Sequence, residues 1–154
     1  MRIIVGADLA GLPLKGPVVE ALRSWGHAVE DVGTHGESVD FPDVARQVCD
    51  PVRTGAADRG IMVCGTGIGA AMAANKLPGI RAALCHDVYS AHQCVEHDNA
   101  NIFCLGAQIV GDRLALDLLD AYLKAEFSTE EHFRRRVRKL AQMEQDAAKE
   151  LSGQ

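Results

Sequence analysis

Short β-branched runs and helical faces alternate along this chain, and that alternation restricts the fold more than any other feature. Arg2–Gly6 (RIIVG) is a β-branched run closed by glycine, the mark of a buried strand. Leu14, Val18, Leu22 and Trp25 follow at spacings of four, four and three, one face of a helix, with Gly26 placed to end it. Ala28–Val32 reads as a second strand. Val44, Val48 and Val52 mark the next helix, with Pro42 near its start; Pro51 is expected to kink it or end it early. Gly60–Cys64 (GIMVC) is the third strand, followed by a glycine-rich turn and a small-residue helix over Ala70–Lys76. A strand at Ile80–Cys85, a helix at Val88–Glu96, a strand at Asn101–Leu105 and a helix carrying Leu114, Leu118, Ala121 and Tyr122 complete the series. Strands separated by helices pair in parallel through right-handed crossovers. The expected fold is α/β: a Rossmann-like three-layer αβα sandwich on a five-stranded parallel sheet. At 154 residues, it is read as one domain over 1–154.

The last segment breaks the alternation. Ser128-Thr-Glu-Glu131 has the spacing of a capping box. Phe133, Val137, Leu140, Ala147 and Leu151 then follow helical spacing, interrupted by Glu144. A helix over about 129–151 with no strand after it either covers the sheet or packs on a second copy of the chain. The second reading is favoured, because the preceding helices already supply both faces.

Composition narrows the function classes. With 21 acidic and 16 basic residues, a net charge of −5 argues against a dedicated nucleic-acid binder. No apolar run approaches the roughly 20 residues that span a bilayer, and no long apolar leader is present at the start, so no membrane partner is expected. Five cysteines, at 49, 64, 85, 94 and 104, show no close metal-type spacing. They fit a reduced, cytoplasmic setting, and no metal is expected.

Ligands of open parallel sheets bind at the carboxyl ends of the strands. Those ends carry Gly6-Ala7-Asp8, Cys64-Gly65-Thr66-Gly67-Ile68-Gly69 and Cys85-His86-Asp87, and the stretch before the fifth strand adds His97-Asp98-Asn99. Alternating glycines at a strand-to-helix turn let backbone amides approach an anion closely, whether a phosphate or a developing oxyanion. Cys64 at the edge of that loop, near a helix N-terminus, is expected to have a lowered pKa and to act as base or nucleophile; a buried inert thiol is the bland alternative. His97 in its polar cluster suits proton transfer near neutrality. Asp8 either caps the next helix or points into the site. Gly65, Gly67 and Ala70 also satisfy a dinucleotide fingerprint with Asp87 downstream, but it follows the third strand and leaves no residues for a substrate domain. Arg134, Arg135, Arg136, Arg138 and Lys139 concentrate positive charge on the last helix, where an anion would be met.

These residues coincide with a known pattern. GAD at 6–8, Gly11 and Lys15, DVGTH at 31–35, DFPDVA at 40–45, CGTGIG at 64–69, AANK at 73–76, GIRAAL at 79–84, YSA at 89–91, and His97–Asn101 leading to LGA at 105–107 resemble the RpiB/LacAB sugar-phosphate isomerases. The resemblance covers nearly the whole chain. It implies cofactor-free aldose–ketose isomerisation through a cis-enediolate, in a homodimer (a tetramer left open) whose site lies between subunits. Cys64 is then the base between C2 and C1, Thr66 shuttles hydroxyl protons, and His97 with Asp8 opens the sugar ring. The amides of Gly65, Gly67, Ile68 and Gly69 hold the enediolate oxygen, and Asp98, Asn99, Phe41, His132 and Arg136 contact the substrate.

The chain departs from the pattern on the phosphate side. Leu9 stands where His is usual, and Gln108 where Arg is frequent. Phe41 replaces a common Tyr, and Asp98-Asn99 inverts the usual order. Aligning on Val137 puts His132 and Arg136 on the two positions four apart that read phosphate in the family. The expectation is an isomerase with an intact enolising half. Ribose 5-phosphate is its simplest substrate, and another sugar or sugar phosphate, or a binding module without turnover, is the alternative.

Overall fold

The computed structural model describes residues 1–153. Five strands, β1 (Arg2–Ala7), β2 (Ala28–Gly33), β3 (Arg59–Cys64), β4 (Ala82–Leu84) and β5 (Ile102–Gly106), form one parallel sheet in the order β2-β1-β3-β5-β4. Six helices accompany them: α1 (Leu12–Ser24), α2 (Phe41–Arg53), α3 (Ile68–Ala74), α4 (Val88–Glu96), α5 (Asp112–Lys124) and α6 (Glu131–Ser152). Alternate residues of each strand face opposite layers. Ile3, Val5, Ile61 and Phe103 pack under α1, α4 and α5, while Ile4, Met62, Ile102 and Cys104 pack under α2 and α3. The expected three layers are present.

Boundaries moved for local reasons. α2 runs on to Arg53 through Pro51, contrary to the expected break. Pro51 lies two residues from the helix end, so its missing N–H removes a bond where few remain to be lost. α3 starts at Ile68, two residues before the expected start, because Gly67 adopts φ +79° and turns the chain directly into the helix. The capping box at Ser128 does not form. Its hydroxyl instead accepts from Glu130 N–H (3.1 Å), and α6 begins at Glu131.

β4 is three residues rather than six, because side-chain amides replace backbone pairing around it. Asn101 accepts from Arg81 N–H (2.8 Å) and donates to Gly79 O (2.9 Å). On the free edge, Asn75 accepts from Ala82 N–H (2.8 Å) and donates to Ala82 O (2.9 Å). One carboxamide thus stands in for a neighbouring strand. At the end of α1, His27 N–H reaches Leu22 O (3.1 Å) and Gly26 N–H reaches Arg23 O (3.0 Å), a Schellman closure with Gly26 at φ +86°.

Two features bear on the site. Lys15 is 2% exposed, donates to the carbonyls of Val32 (2.8 Å) and Thr34 (2.6 Å), and lies 2.6 Å from Asp31 Oδ1 as an ion pair. It ties α1 to the end of β2. α6 buries none of its 22 residues. It runs past the amino ends of β4 and β5, where Glu144 accepts from Gly79 N–H through both oxygens (3.0 and 2.9 Å). No helix among the described residues is long and apolar enough to cross a membrane.

Candidate active site

β1 and β3 are neighbours in the sheet, although β2 lies between them in the chain. The chain therefore reverses its direction of travel across the sheet at this pair, and a crevice opens at their carboxyl ends. Ala7 is in register with Val63, so the next residues, Asp8 and Cys64, emerge side by side. The Cys64 thiol donates to Asp8 Oδ2 at 2.9 Å, and the other carboxylate oxygen accepts from Gly11 N–H (2.9 Å). Asp8 points into the crevice and closes the turn before α1 through Gly11 N–H, but it does not cap the helix, whose N-cap is Gly11 with no side-chain bond.

The glycine loop completes this side. Gly67 at φ +79° would bring a Cβ within 2.6 Å of Leu84 Cδ1 and 3.0 Å of the Leu105 backbone. Gly106 lies so close that a Cβ there would meet Thr66 Cα at 2.7 Å. The loop is clamped against the end of β5, with Gln108 N–H donating to Gly65 O (2.9 Å) and Ala107 N–H to Cys64 O (2.9 Å). Thr66 Oγ1 accepts from Ile68 N–H at 3.3 Å. The Phe41 ring lies over Gly69, and a hollow of about 360 Å³ opens beside it, lined by Phe41, Arg46, Gly69, Met72 and Lys76.

The electrostatics correct one expectation. The Cys64 pKa is raised above an ordinary thiol, not lowered. Burial penalises the thiolate first, and the hydrogen bond to Asp8 and its negative charge add to that. The amides of Gly67 and Gly65 aim at the sulfur and pull the other way without prevailing. The resting pair is thiol beside carboxylate.

His97, Asp98 and Asn99 are not with Cys64 in this chain, contrary to the convergence expected from the sequence. They follow α4 and precede β5, at the amino end of the sheet, whereas Cys64 aligns with Gly106 at the carboxyl end. The five residues of β5 separate the two ends by roughly 16 Å. His132 and Arg136 of α6 join the His97 group. The His97 ring stacks on Phe133 with centroids 3.9 Å apart and planes at 17°. His132 packs on the same ring (3.9 Å), and the Arg136 guanidinium lies 5.7 Å from its centroid. Asn99 has φ +51°, a left-handed position that asparagine tolerates, and its carbonyl accepts from Arg81 Nε (2.7 Å). Of the basic run, Arg138 pairs with Glu131 and Arg134 stacks on Phe127. Among the described residues Arg134, Arg135 and Arg136 have no carboxylate within 4.0 Å.

The structure therefore sorts the expected residues into two half-sites. Asp8, Cys64, Thr66, Gly65, Gly67, Ile68, Gly69 and Phe41 lie at the carboxyl end; His97, Asp98, Asn99, His132 and Arg136 lie at the amino end. His86, placed at a strand end by the sequence but given no role, and Phe133 gain parts here that sequence reasoning did not assign. His86 Nε2 accepts from Gly106 N–H (3.0 Å), which holds it neutral at that nitrogen, and burial lowers its pKa. Phe133 read only as part of an apolar stripe. Its position between His132 and the run Arg134–Arg136 was the available signal. Asp87, the ribose acid of the dinucleotide alternative, is engaged as the cap of α4, accepting from Ser90 N–H and Ser90 Oγ (both 2.7 Å). Among the described residues no cluster of three His, Cys, Asp or Glu is arranged to hold a metal.

Comparison with known proteins shows the family. A family model described as Ribose/Galactose Isomerase matches residues 3–140. D-erythrulose-4-phosphate isomerase of Pectobacterium atrosepticum is 42% identical over 129 residues, covering 82% of this chain and 85% of that one. Ribose-5-phosphate isomerase B of Escherichia coli is 39% identical over 145 residues, covering 94% and 97%. Among solved structures, ribose-5-phosphate isomerase B of Clostridium thermocellum superposes with a TM-score of 0.92 at 46% identity, covering 96% and 99%.

Proposed function

The chain belongs to the ribose/galactose isomerase family and is a sugar-phosphate isomerase, and we propose that it interconverts an aldose phosphate and its ketose in a site built from two copies of the chain. The observation that carries the reading is the Asp8–Cys64 contact of 2.9 Å beside the amides of Gly65 and Gly67. Aldose–ketose isomerisation removes the proton from C2 and returns it to C1. The base must be a thiolate, so the Cys64 proton first passes to Asp8. The thiolate then takes the C2 proton. Negative charge develops on the oxygen at C1, where the amides of residues 65–69 meet it. Thr66 moves the hydroxyl proton between the two oxygens, and Cys64 returns its proton to C1. For a substrate that closes a ring, Asp8 takes the proton from O1 while His97 gives one to the ring oxygen, and Asp8 passes its proton on to His97 through solvent before it accepts the Cys64 proton.

Two surfaces support the two-copy site. Leu9, Ile68, Val88, Tyr89 and Ile109 are exposed just after the carboxyl ends of strands, Leu84 at the end of β4, and Phe41 and Met72 on the helices that follow. Leu140, Met143 and Leu151 form an exposed stripe on α6. Contiguous exposed apolar surface of this kind marks an interface. A twofold arrangement that sets one copy's rim against the other's amino-end residues joins the half-sites twice.

Ribose 5-phosphate is the simplest substrate, in line with the relatives of that name. A four-carbon sugar phosphate is the second reading. It is favoured by apolar Leu9 beside Asp8, by neutral Gln108 packed 3.2 Å from a Cβ built on Gly65, and by the erythrulose-4-phosphate relative. The test is turnover of ribose 5-phosphate, erythrose 4-phosphate, hexose phosphates and free sugars, with Cys64→Ser as control. Wild-type turnover of a sugar phosphate, with C2 proton exchange lost by more than about a hundredfold in the folded variant, is expected. Binding without turnover in the wild type, or undiminished exchange in Cys64→Ser, would overturn it.

A further inference from the structure

Phe133 stands at the centre of the amino-end half-site. Its ring is stacked face to face with His97, packed at 43° against His132, and within cation–π range of Arg136. Phe133 is itself only partly buried and fills no core position. An aromatic residue that served only to seat α6 would face the sheet layers; this one faces three polar residues of the site. The other groups near these rings are carboxylates, Glu96 at 3.7 Å from His97 Nε2 and Glu130 at 3.3 Å from His132 Nδ1. Either can draw its histidine away, and the Phe133 face opposes this by fixing the imidazole plane.

We propose that Phe133 is a positioning residue for this isomerase, holding the His97 ring in the orientation that opens a cyclic substrate. The inference rests on the proposed function, which assigns ring opening to His97. It has a consequence that a purely structural role lacks. Ribose 5-phosphate is a closed furanose, whereas erythrose 4-phosphate carries its phosphate on the oxygen that would close the ring and stays open. Only the first needs a correctly aimed His97. Misplacing a catalytic group by a fraction of an ångström costs on the order of tenfold or more.

The experiment compares Phe133→Leu and Phe133→Tyr with wild type on both substrates, with sedimentation to confirm the same assembly. Phe133→Leu is expected to lose about tenfold more in kcat/KM on ribose 5-phosphate than on erythrose 4-phosphate, since any effect through His132 and Arg136 falls on both substrates alike. Phe133→Tyr, which keeps the stacked ring, should restore activity on ribose 5-phosphate. As a second readout, Phe133→Leu should retain deuterium wash-in at C1 of open-chain ribulose 5-phosphate, because enolisation does not use His97. Equal losses on both substrates, or a loss that tyrosine does not restore, would show that Phe133 only supports the fold. Wild type active on erythrose 4-phosphate alone also overturns the inference, since no ring is then opened. Wild type inactive on every sugar phosphate overturns the isomerase reading instead.

Discussion

Asp8 acts on Cys64 through two effects of one sign. Its carboxylate accepts the thiol proton, and its charge repels the thiolate, so both raise the thiol pKa along with burial. Replacing it with Asn removes the charge and leaves the amides of Gly65 and Gly67 less opposed. Asp8→Asn is therefore expected to move the Cys64 titration to lower pH, read from the pH dependence of thiolate absorbance or alkylation, while isomerisation falls because the proton acceptor is gone. A titration that moves up or stays would remove Asp8 from that role. Lys15 allows a stability prediction at the same scale. Lys15→Met leaves two carbonyls and Asp31 without their partner, and because Asp31 is partly exposed the cost is about 2–4 kcal/mol. Denaturant unfolding measures it.

At the scale of elements, the ends of the strands decide what the site can do. β1 and β3 bring Asp8 and Cys64 together through parallel register, and β5 locks the glycine loop in place through the close approach of Gly106 to Thr66. Gly106→Ala forces those backbones apart and is expected to destabilise the fold by about 1–3 kcal/mol and to reduce turnover more than stability alone explains. The edge strand has its own safeguard. Asn75→Ala frees the N–H and C=O of Ala82 on an open edge, which costs about 1–2 kcal/mol and exposes a pairing site. Thermal unfolding checks the first effect, and light scattering near the unfolding midpoint checks the second.

The whole molecule has two unfinished surfaces, the apolar rim at the carboxyl ends and the stripe on α6. In the proposed two-copy site a second copy closes both. Leu140→Asp with Met143→Asp is expected to leave a folded monomer, with helix and sheet content unchanged, because both side chains are exposed and no residue of α6 is fully buried within its own chain. Turnover should fall on the order of a hundredfold, because the half-sites no longer meet. Sedimentation and circular dichroism on one sample separate loss of assembly from loss of fold. An active monomer would end the two-copy reading.

Much was legible beforehand because it is local. Short apolar runs located all five strands and period-3.6 faces the six helices, since burial is written in residue spacing. Glycines at 65, 67 and 69 pointed to an anion loop, and the close backbone approach is made at Gly67, against Leu105, and at Gly106, against Thr66. What the sequence determined by itself was thus the layers, the loop and the residue types of the site. Tertiary structure alone decided three things. Cys64 titrates high because burial and Asp8, brought from another strand, outweigh the helix-end amides. His97 lies a sheet's length from Cys64, because a strand carries its preceding and following residues to opposite ends. Phe133 became a hub rather than a stripe residue because α6 runs across the amino end, where it meets α4. Each depends on which parts of the chain become neighbours, and spacing along the sequence does not carry that information.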